Sequence, residues 1–565
     1  MITLKGKGVC SGIAIGEIEI YRPFIPNISQ ETIRQEDVPG ELQRYEAAMA
    51  ASCSELSALE ALTDTPESSA IISVHLDLLN DPSIDESVRG LITESRFPAD
   101  RAADLAFEQS AGLLESCGDD ILAERAADLR DVKRRFLRNY AGEKETSLSR
   151  LSRPVILAAH DLLPSETAAL DRKNVLGIVT EVGGMTSHLA ILAKSYDIPA
   201  VLGVSGLMES AEEAMPVILN GGDGRVILAP DGETRRAMEA EQARHLWEKA
   251  LAAEFMDKPG ATADGVPLQL GVNIGSSRPE ELEGTERADY VGLFRTEFLY
   301  MNSGHMPTEE EQFEAYKKAL LFYAPRPVTL RTLDIGGDKS LPYYPLPHEE
   351  NPFLGCRAFR LCMEHRELFR TQLRAALRAS VYGNLWLMIP MIGSLDDIRR
   401  AKEALAEVRA ELDAERIPYS GDVKFGIMIE VPAIALIADK VAQEVDFASV
   451  GTNDLCQYLT AADRGNPGVA RYYQSYHPAL FRVLRYVSEC FQQAQKPLSV
   501  CGELGGDRLA APVLAGMGFQ KLSMPLSSLP YVKQALAGRT MPQLQSLAEA
   551  VCASATAEEA ENCMR

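Results

Sequence analysis

The stretches FGIMIEVP (residues 425–432) and DFASVGTND (446–454) share one plan. Each is a short apolar run that breaks into polar residues at its C-terminal end: Glu430 in the first, Asn453 and Asp454 in the second. A strand buried on both faces reads as such a run. The pattern recurs in LQLGVNI (268–274), YVGLFRT (290–296), VTLRTLD (328–334), LWLMIPMI (385–392), LSVCGE (498–503) and QKLSMPL (520–526), with helical stretches between. Eight strands alternating with helices over residues 259–565 predict a (β/α)₈ TIM barrel. That fold carries its chemistry where the strands end, and Arg295, Arg331, Glu430, Asn453, Asp454 and Cys501 all fall there.

These residue types share a purpose. Arg295 and Arg331 offer forked donors for phosphate or carboxylate, and Arg464 adds a cation just downstream. Glu430 and Asp454 supply hard oxygens suited to Mg²⁺ together with phosphate and water. Asn453 can orient an anion beside them. The set asks for a small, doubly anionic ligand on a divalent cation. Any one of these charges alone reads as a surface ion pair; their convergence on strand ends points to a site. Cys501 alone reads as a small buried hydrophobe, whereas beside an anion site its thiol can protonate a carbanion or enolate.

The rest of the chain is organised differently. Its 565 residues exceed what one core holds, which predicts several domains. Residues 1–22 read as strand and 30–141 as an inserted helical bundle, with Leu42, Met49 and Leu56 seven apart and Tyr45 and Leu59 on the same side. Residues 145–230 turn to short β-rich runs separated by glycines, an α/β domain that the N-terminal strand completes. Residues 231–258 form a long polar linker helix. The net charge of −24 disfavours nucleic acid and anionic membranes, and no apolar run is long enough to insert in a bilayer. Ten scattered cysteines without a CxxC pair fit a reducing, cytoplasmic setting.

One segment of the α/β domain carries its own signal. In GGMTSHLAILAKSYDIPA (183–200), Thr186 or Ser187 can cap a following helix, which puts His188 in its first turn. Free N–H groups there suit phosphate, and the dipole favours a neutral, nucleophilic imidazole. A phosphorylated histidine fits, although the pattern alone leaves a structural histidine open.

GGMTSHLAILAKSYDIPAVLGV resembles the phosphohistidine segment of the phosphoenolpyruvate (PEP)-utilising enzymes, and DFASVGTNDLCQYLTAADRGN resembles their second signature. With SGIAIG, ERAADLRD, LLPSETA, GLFRTEFLYM, RTLDIGGDK, NPFLGCRAFR, GIMIEVPA and VCGELGGD in order, nearly the whole chain is similar to the enzyme I family of the bacterial sugar phosphotransferase system. The resemblance implies a swivelling phosphohistidine domain, PEP-dependent phosphorylation of His188 at Nε2, and transfer to the carrier HPr with release of pyruvate. It implies support of the imidazole by Thr167, PEP binding by Arg295, Arg331, Asn453, Asp454 and Arg464, and Mg²⁺ on Glu430 and Asp454. Cys501 becomes the proton donor, the helical insertion (with His75) the carrier-docking domain, and the barrel a homodimer interface. Met185, Cys356, Ala448 and Gly505 depart from common family residues and bear on carrier preference rather than on the reaction. Two rivals remain: a PEP synthase or dikinase, whose Gly-rich nucleotide loop is not found before His188, and a catalytically idle sensor.

Overall fold

The computed structural model describes residues 1–565 apart from 11, 23, 25, 61–65, 117–119, 144–147, 149–150, 152, 163–169, 171–172, 184–187, 197, 302, 338, 340 and 342. The chain divides into two compact units, Met1–Trp247 and Glu248–Arg565.

The first unit holds a mixed eight-stranded sheet. Its strands are β1 (Ile2–Lys5), β2 (Lys7–Cys10), β3 (Ile13–Tyr21), β4 (Val155–Ala159), β5 (Val175–Thr180), β6 (Ala200–Leu202), β7 (Pro216–Asn220) and β8 (Arg225–Leu228), in the order β1-β8-β7-β3-β4-β5-β6-β2. The N-terminal segment makes three strands, more than its sequence signals. β3 lies parallel to β4 (Ile18 beside Ile156), so a chain that leaves the sheet after Tyr21 returns at Val155. Alternation along β4 sends Leu157 and Ala159 to one core, with Leu189, Ala190 and Ala193, and Ile156 and Ala158 to the other.

Between those strands stand the helices Val38–Glu60, Pro66–Leu79, Pro82–Thr93, Ala99–Ser116 and Asp120–Ala141, the helical insertion that the sequence marked. The third helix starts on a cap that its sequence NDPSIDES supplies: Asp81 Oδ1 accepts the Ser83 N–H at 2.8 Å, and Pro82 opens the helix. The buried stripe of the first helix, however, is Glu41, Tyr45, Ala48, Ser52 and Leu56; Leu42 and Met49 sit half-buried at its border. Two polar residues occupy the core side because they have partners there. Glu41 accepts the Ala99 N–H at 2.8 Å and the Tyr140 hydroxyl, and Ser52 donates to the Ala48 carbonyl at 2.7 Å.

The helix Gly232–Ala253 follows, largely exposed, and the boundary between the two units falls within it. In the second unit β9 (Gln269–Ile274), β10 (Val291–Arg295), β11 (Pro327–Arg331), β12 (Asn384–Ile389), β13 (Lys424–Ile429), β14 (Phe447–Val450), β15 (Leu498–Val500) and β16 (Lys521–Met524) close into an all-parallel barrel. Each of the eight strands coincides with a segment that the sequence marked, β11, β12 and β13 beginning one residue earlier. Leu293, Met388, Met428 and Phe447, with Trp386, fill the barrel beneath its C-terminal mouth. Lys521 lies at the opposite end, its Nζ 4.6 Å from the Tyr290 ring centre and 4.5 Å from that of Trp386. Among the described residues no helix is long and apolar enough to cross a membrane.

Candidate active site

A cleft of about 280 Å³ opens at the barrel mouth, and every barrel residue singled out from the sequence lines it: Arg295, Arg331, Glu430, Asn453, Asp454, Arg464 and Cys501. The strands explain this. Arg295 and Arg331 are the last residues of β10 and β11 and pair across the sheet; Glu430 directly follows β13, and Cys501 directly follows β15. Asn453 and Asp454 lie in the first turn of the helix Thr452–Thr460 after β14.

The cleft also holds charged groups whose role their sequence motifs do not reveal: Glu297, Asp334, Lys339 and Glu503, with Arg357 behind them. All but Glu503 form one network with Arg331. Arg331 pairs with Glu297 and, at 3.0 Å, with Asp334. Lys339 reaches Glu297 at 3.0 Å and Asp334 at 3.1 Å. Arg357, 1% exposed, bonds to Asp334 at 2.9 Å and lies 3.5 Å from Asp454. Burial opposes the charges of Glu297, Arg331, Asp334 and Arg357, and the opposite charges overcome it. Arg331, Lys339 and Arg357 thus hold Asp334 well below the usual carboxylate range, while Glu297 and Asp334 hold Arg331 above its own. The available signal was a charged residue inside an otherwise apolar motif, two positions after Arg295 or three after Arg331.

Three features stand outside this mutual neutralisation. Arg295 and Arg464 make no ion pair among the described residues, and burial together with neighbouring Arg331 lowers the affinity of Arg295 for its proton. Glu430 Oε2 and Asp454 Oδ1 are buried and accept no hydrogen bond. Burial, then the charges of Asp454 and Asp334, push Glu430 up to about 8; its other oxygen accepts the Met391 N–H at 2.6 Å. Two buried carboxylate oxygens without a hydrogen-bond donor, Asp454 Oδ1 with only Arg357 at 3.5 Å, fit a hard divalent cation that keeps further positions for substrate and water. Third, the Cys501 thiol is buried against the apolar plug, and burial pushes it up to about 11, so it is protonated at neutral pH. The three arginines are therefore unequal: Arg331 is committed to carboxylates, while Arg295 and Arg464 are not.

His188 opens the helix His188–Ser195, as its context predicts. Its side chain, and Thr167, Gly184, Met185, Thr186 and Ser187, lie outside the described part of the structure. Gly183 has φ +111°, a conformation that favours glycine. His75 corrects an expectation. It is 1% exposed, with Nε2 3.3 Å from Asp128 and Nδ1 4.0 Å from Asp131, so it is enclosed within the bundle and does not present its imidazole to a docking partner.

Comparison with known proteins gives this arrangement a family. Three family models match in chain order: "PEP-utilising enzyme, N-terminal" over residues 5–125, "PEP-utilising enzyme, mobile domain" over 151–224, and "PEP-utilising enzyme, PEP-binding domain" over 249–541. Fold and site therefore define a PEP-utilising enzyme. The phosphoenolpyruvate-protein phosphotransferase of Priestia megaterium is 43% identical over 93% of this chain and 92% of its own length. That of Bacillus sp. (strain S) is 42% identical over 99% of this chain and 96% of its own. A solution structure of an enzyme I protein shares 36% identity, covers 43% of this chain and 99% of its own, and superposes with a TM-score of 0.41. The chain belongs to the phosphoenolpyruvate-protein phosphotransferase family.

Proposed function

We propose that this chain takes the phosphoryl group of PEP onto His188 Nε2 and passes it to a histidine of HPr or an HPr-like carrier, releasing pyruvate as the first step of sugar uptake by the phosphotransferase system. The observation that carries the reading is the unpaired Arg295 and Arg464 in a cleft whose other cations are neutralised by carboxylates. Such a cleft demands an anion, and PEP brings a phosphate and a carboxylate close together.

In this mechanism Arg295 and Arg464 hold the two anionic groups, assisted by the donors Arg331 has left and by Asn453. Glu430 and Asp454 would hold Mg²⁺, which would neutralise phosphate charge when bound. The neutral His188 imidazole attacks phosphorus in line; an N–P bond forms, the bridging P–O bond breaks, and the enolate leaves with its electron pair. Cys501 gives its thiol proton to the methylene carbon, which completes pyruvate, and regains a proton from solvent. Thr167 would steady the imidazole. The histidine domain then swings between the barrel mouth and a carrier docked on the helical insertion, and the barrel would serve as the homodimer interface of a cytoplasmic enzyme.

Incubation with Mg²⁺ and ³²P-labelled PEP, without ATP, tests this directly. Acid-labile label on His188 that chases onto an HPr-like carrier is expected. Labelling that requires ATP would favour a dikinase, and no modification at residue 188 would remove the reading.

A further inference from the structure

The PEP-binding reading leaves one residue of the cleft without a purpose. Glu503 is an exposed carboxylate lining a site that must attract anions, where charge alone makes it unfavourable. Its contacts supply a different rationale. The Asn453 amide Nδ2 donates to Glu503 Oε1 at 3.0 Å, and the Glu503 backbone N–H donates to Asn453 Oδ1 at 2.9 Å. This reciprocal pair is satisfied in one orientation of the carboxamide; turned over, it would set oxygen against carboxylate and NH₂ against N–H. Among the described residues nothing else takes the second amide N–H of Asn453 or its backbone N–H, which leaves both for a ligand.

The pair also joins the segments that follow two strands. Asn453 belongs to the first turn of the helix after β14, and Glu503, two residues after Cys501, opens the short helix Glu503–Gly506 that follows β15. The segments meet closely: a Cβ on Gly502 would overlap Thr452, and the Cys501 N–H donates to the Val450 carbonyl at 3.2 Å. The Tyr473 hydroxyl, 3.4 Å from the Asn453 carbonyl, holds the residue from the far side.

We propose that Glu503 is a positioning residue: by clasping the Asn453 carboxamide it aims the remaining amide donor at the bound anion and fixes the loop that carries the Cys501 thiol relative to that anion. This rests on the PEP-binding reading above. Electrostatics and positioning then predict opposite outcomes. If charge were all that mattered, removing Glu503 would tighten PEP binding. If the clasp matters, losing it weakens PEP binding although a negative charge has gone.

Glu503→Ala, Glu503→Gln and Glu503→Asp decide between them, with kcat and KM for PEP read from pyruvate formation and folding checked by thermal unfolding. Glutamine keeps the reach and an acceptor while removing the charge; aspartate keeps the charge and loses the reach. Glu503→Ala and Glu503→Asp are expected to raise KM about tenfold, the loss of roughly one hydrogen bond, with kcat lowered several-fold. Glu503→Gln should stay within about threefold of the parent in both constants, on the scale of less than one such bond. All three should unfold within a few degrees of it. Unchanged or lowered KM in Glu503→Ala, or Glu503→Gln as impaired as Glu503→Ala, overturns the proposal. A parent protein that does not turn over PEP instead removes the underlying reading, and that is seen before any variant is made.

Discussion

Replacing Cys501 by alanine separates the two halves of the proposed reaction. The thiol is 3% exposed and rests against the plug formed by Leu293, Met388, Met428 and Phe447. With burial pushing it up to about 11, roughly 0.03% is thiolate at pH 7.5, so almost every molecule holds the proton that the enolate needs. Positioned proton transfer contributes about 10²–10⁴ in rate, or about 3–5 kcal/mol of barrier. Cys501→Ala should lose that factor at the carbon while leaving phosphoryl transfer within about tenfold, because the groups that hold the anion are untouched. Rapid-quench mass spectrometry can follow phosphorylation at His188, and lactate dehydrogenase, which consumes pyruvate rather than its enol, can follow the product. The parent should form both together. The variant should show phosphohistidine first and pyruvate after a lag set by ketonisation in solution. In the parent the protonation step should stay level through pH 9 and fall as pH nears 11, since the active form is the protonated one. Pyruvate appearing without a lag and at the parent rate in Cys501→Ala would show that another group delivers the proton.

His188→Ala should abolish phosphorylation by PEP while leaving the thermal unfolding profile within a few degrees of the parent. Asp334→Asn removes the negative charge that Arg331, Lys339 and Arg357 share; the buried excess of positive charge should cost about 3–5 kcal/mol, seen as earlier unfolding of the barrel unit. Lys521 is held down to about 8 by burial, which corresponds to about 3 kcal/mol; contact with the two rings returns roughly 1–2 kcal/mol. Lys521→Met should therefore stabilise by about 1–2 kcal/mol at neutral pH. That gain should shrink between pH 8 and the ordinary lysine range, where the unfolded parent binds a proton that the native state lacks, so parent stability rises with pH. A gain that is constant with pH would place the cost elsewhere.

The barrel was legible because a strand covered on both faces has no polar side to hide. Its apolar run ends where the wall ends, and that end is where Arg295, Arg331, Glu430 and Cys501 stand. What such reading could not reach is pairing across strands. Nothing local to Asp334 says that it meets Arg357, 23 positions on, and nothing near Asn453 says that Glu503, 50 positions on, will clasp it. The same limit explains the helical insertion. A seven-residue apolar spacing pointed to Leu42 and Met49, yet Glu41 and Ser52 take the core side, since partners on other turns and helices satisfy them. His75 was misplaced for the same reason: its carboxylate partners come from the Asp120–Ala141 helix.

Two opposite deficits in one cleft argue for the kind of ligand more firmly than any single residue does. Among the described residues Arg295 and Arg464 lack an anion, while Glu430 Oε2 and Asp454 Oδ1 accept no hydrogen bond, the latter having only Arg357 at 3.5 Å. Side chains that could move would cancel these deficits by pairing with one another. They stay apart because the surrounding positions are fixed: Arg331, Lys339 and Arg357 are spent on Glu297 and Asp334, and the floor beneath is packed with apolar side chains. A dianion alone would satisfy the arginines and worsen the carboxylates, and a divalent cation alone would do the reverse. A phosphate-bearing dianion bound with a divalent cation satisfies both at once, so each should strengthen the binding of the other. Calorimetry with the non-transferring analogue phosphoglycolate should therefore show affinity rising on addition of Mg²⁺ in the parent and losing that dependence in Glu430→Gln. Equal Mg²⁺ dependence in the two proteins would mean that the cation binds elsewhere.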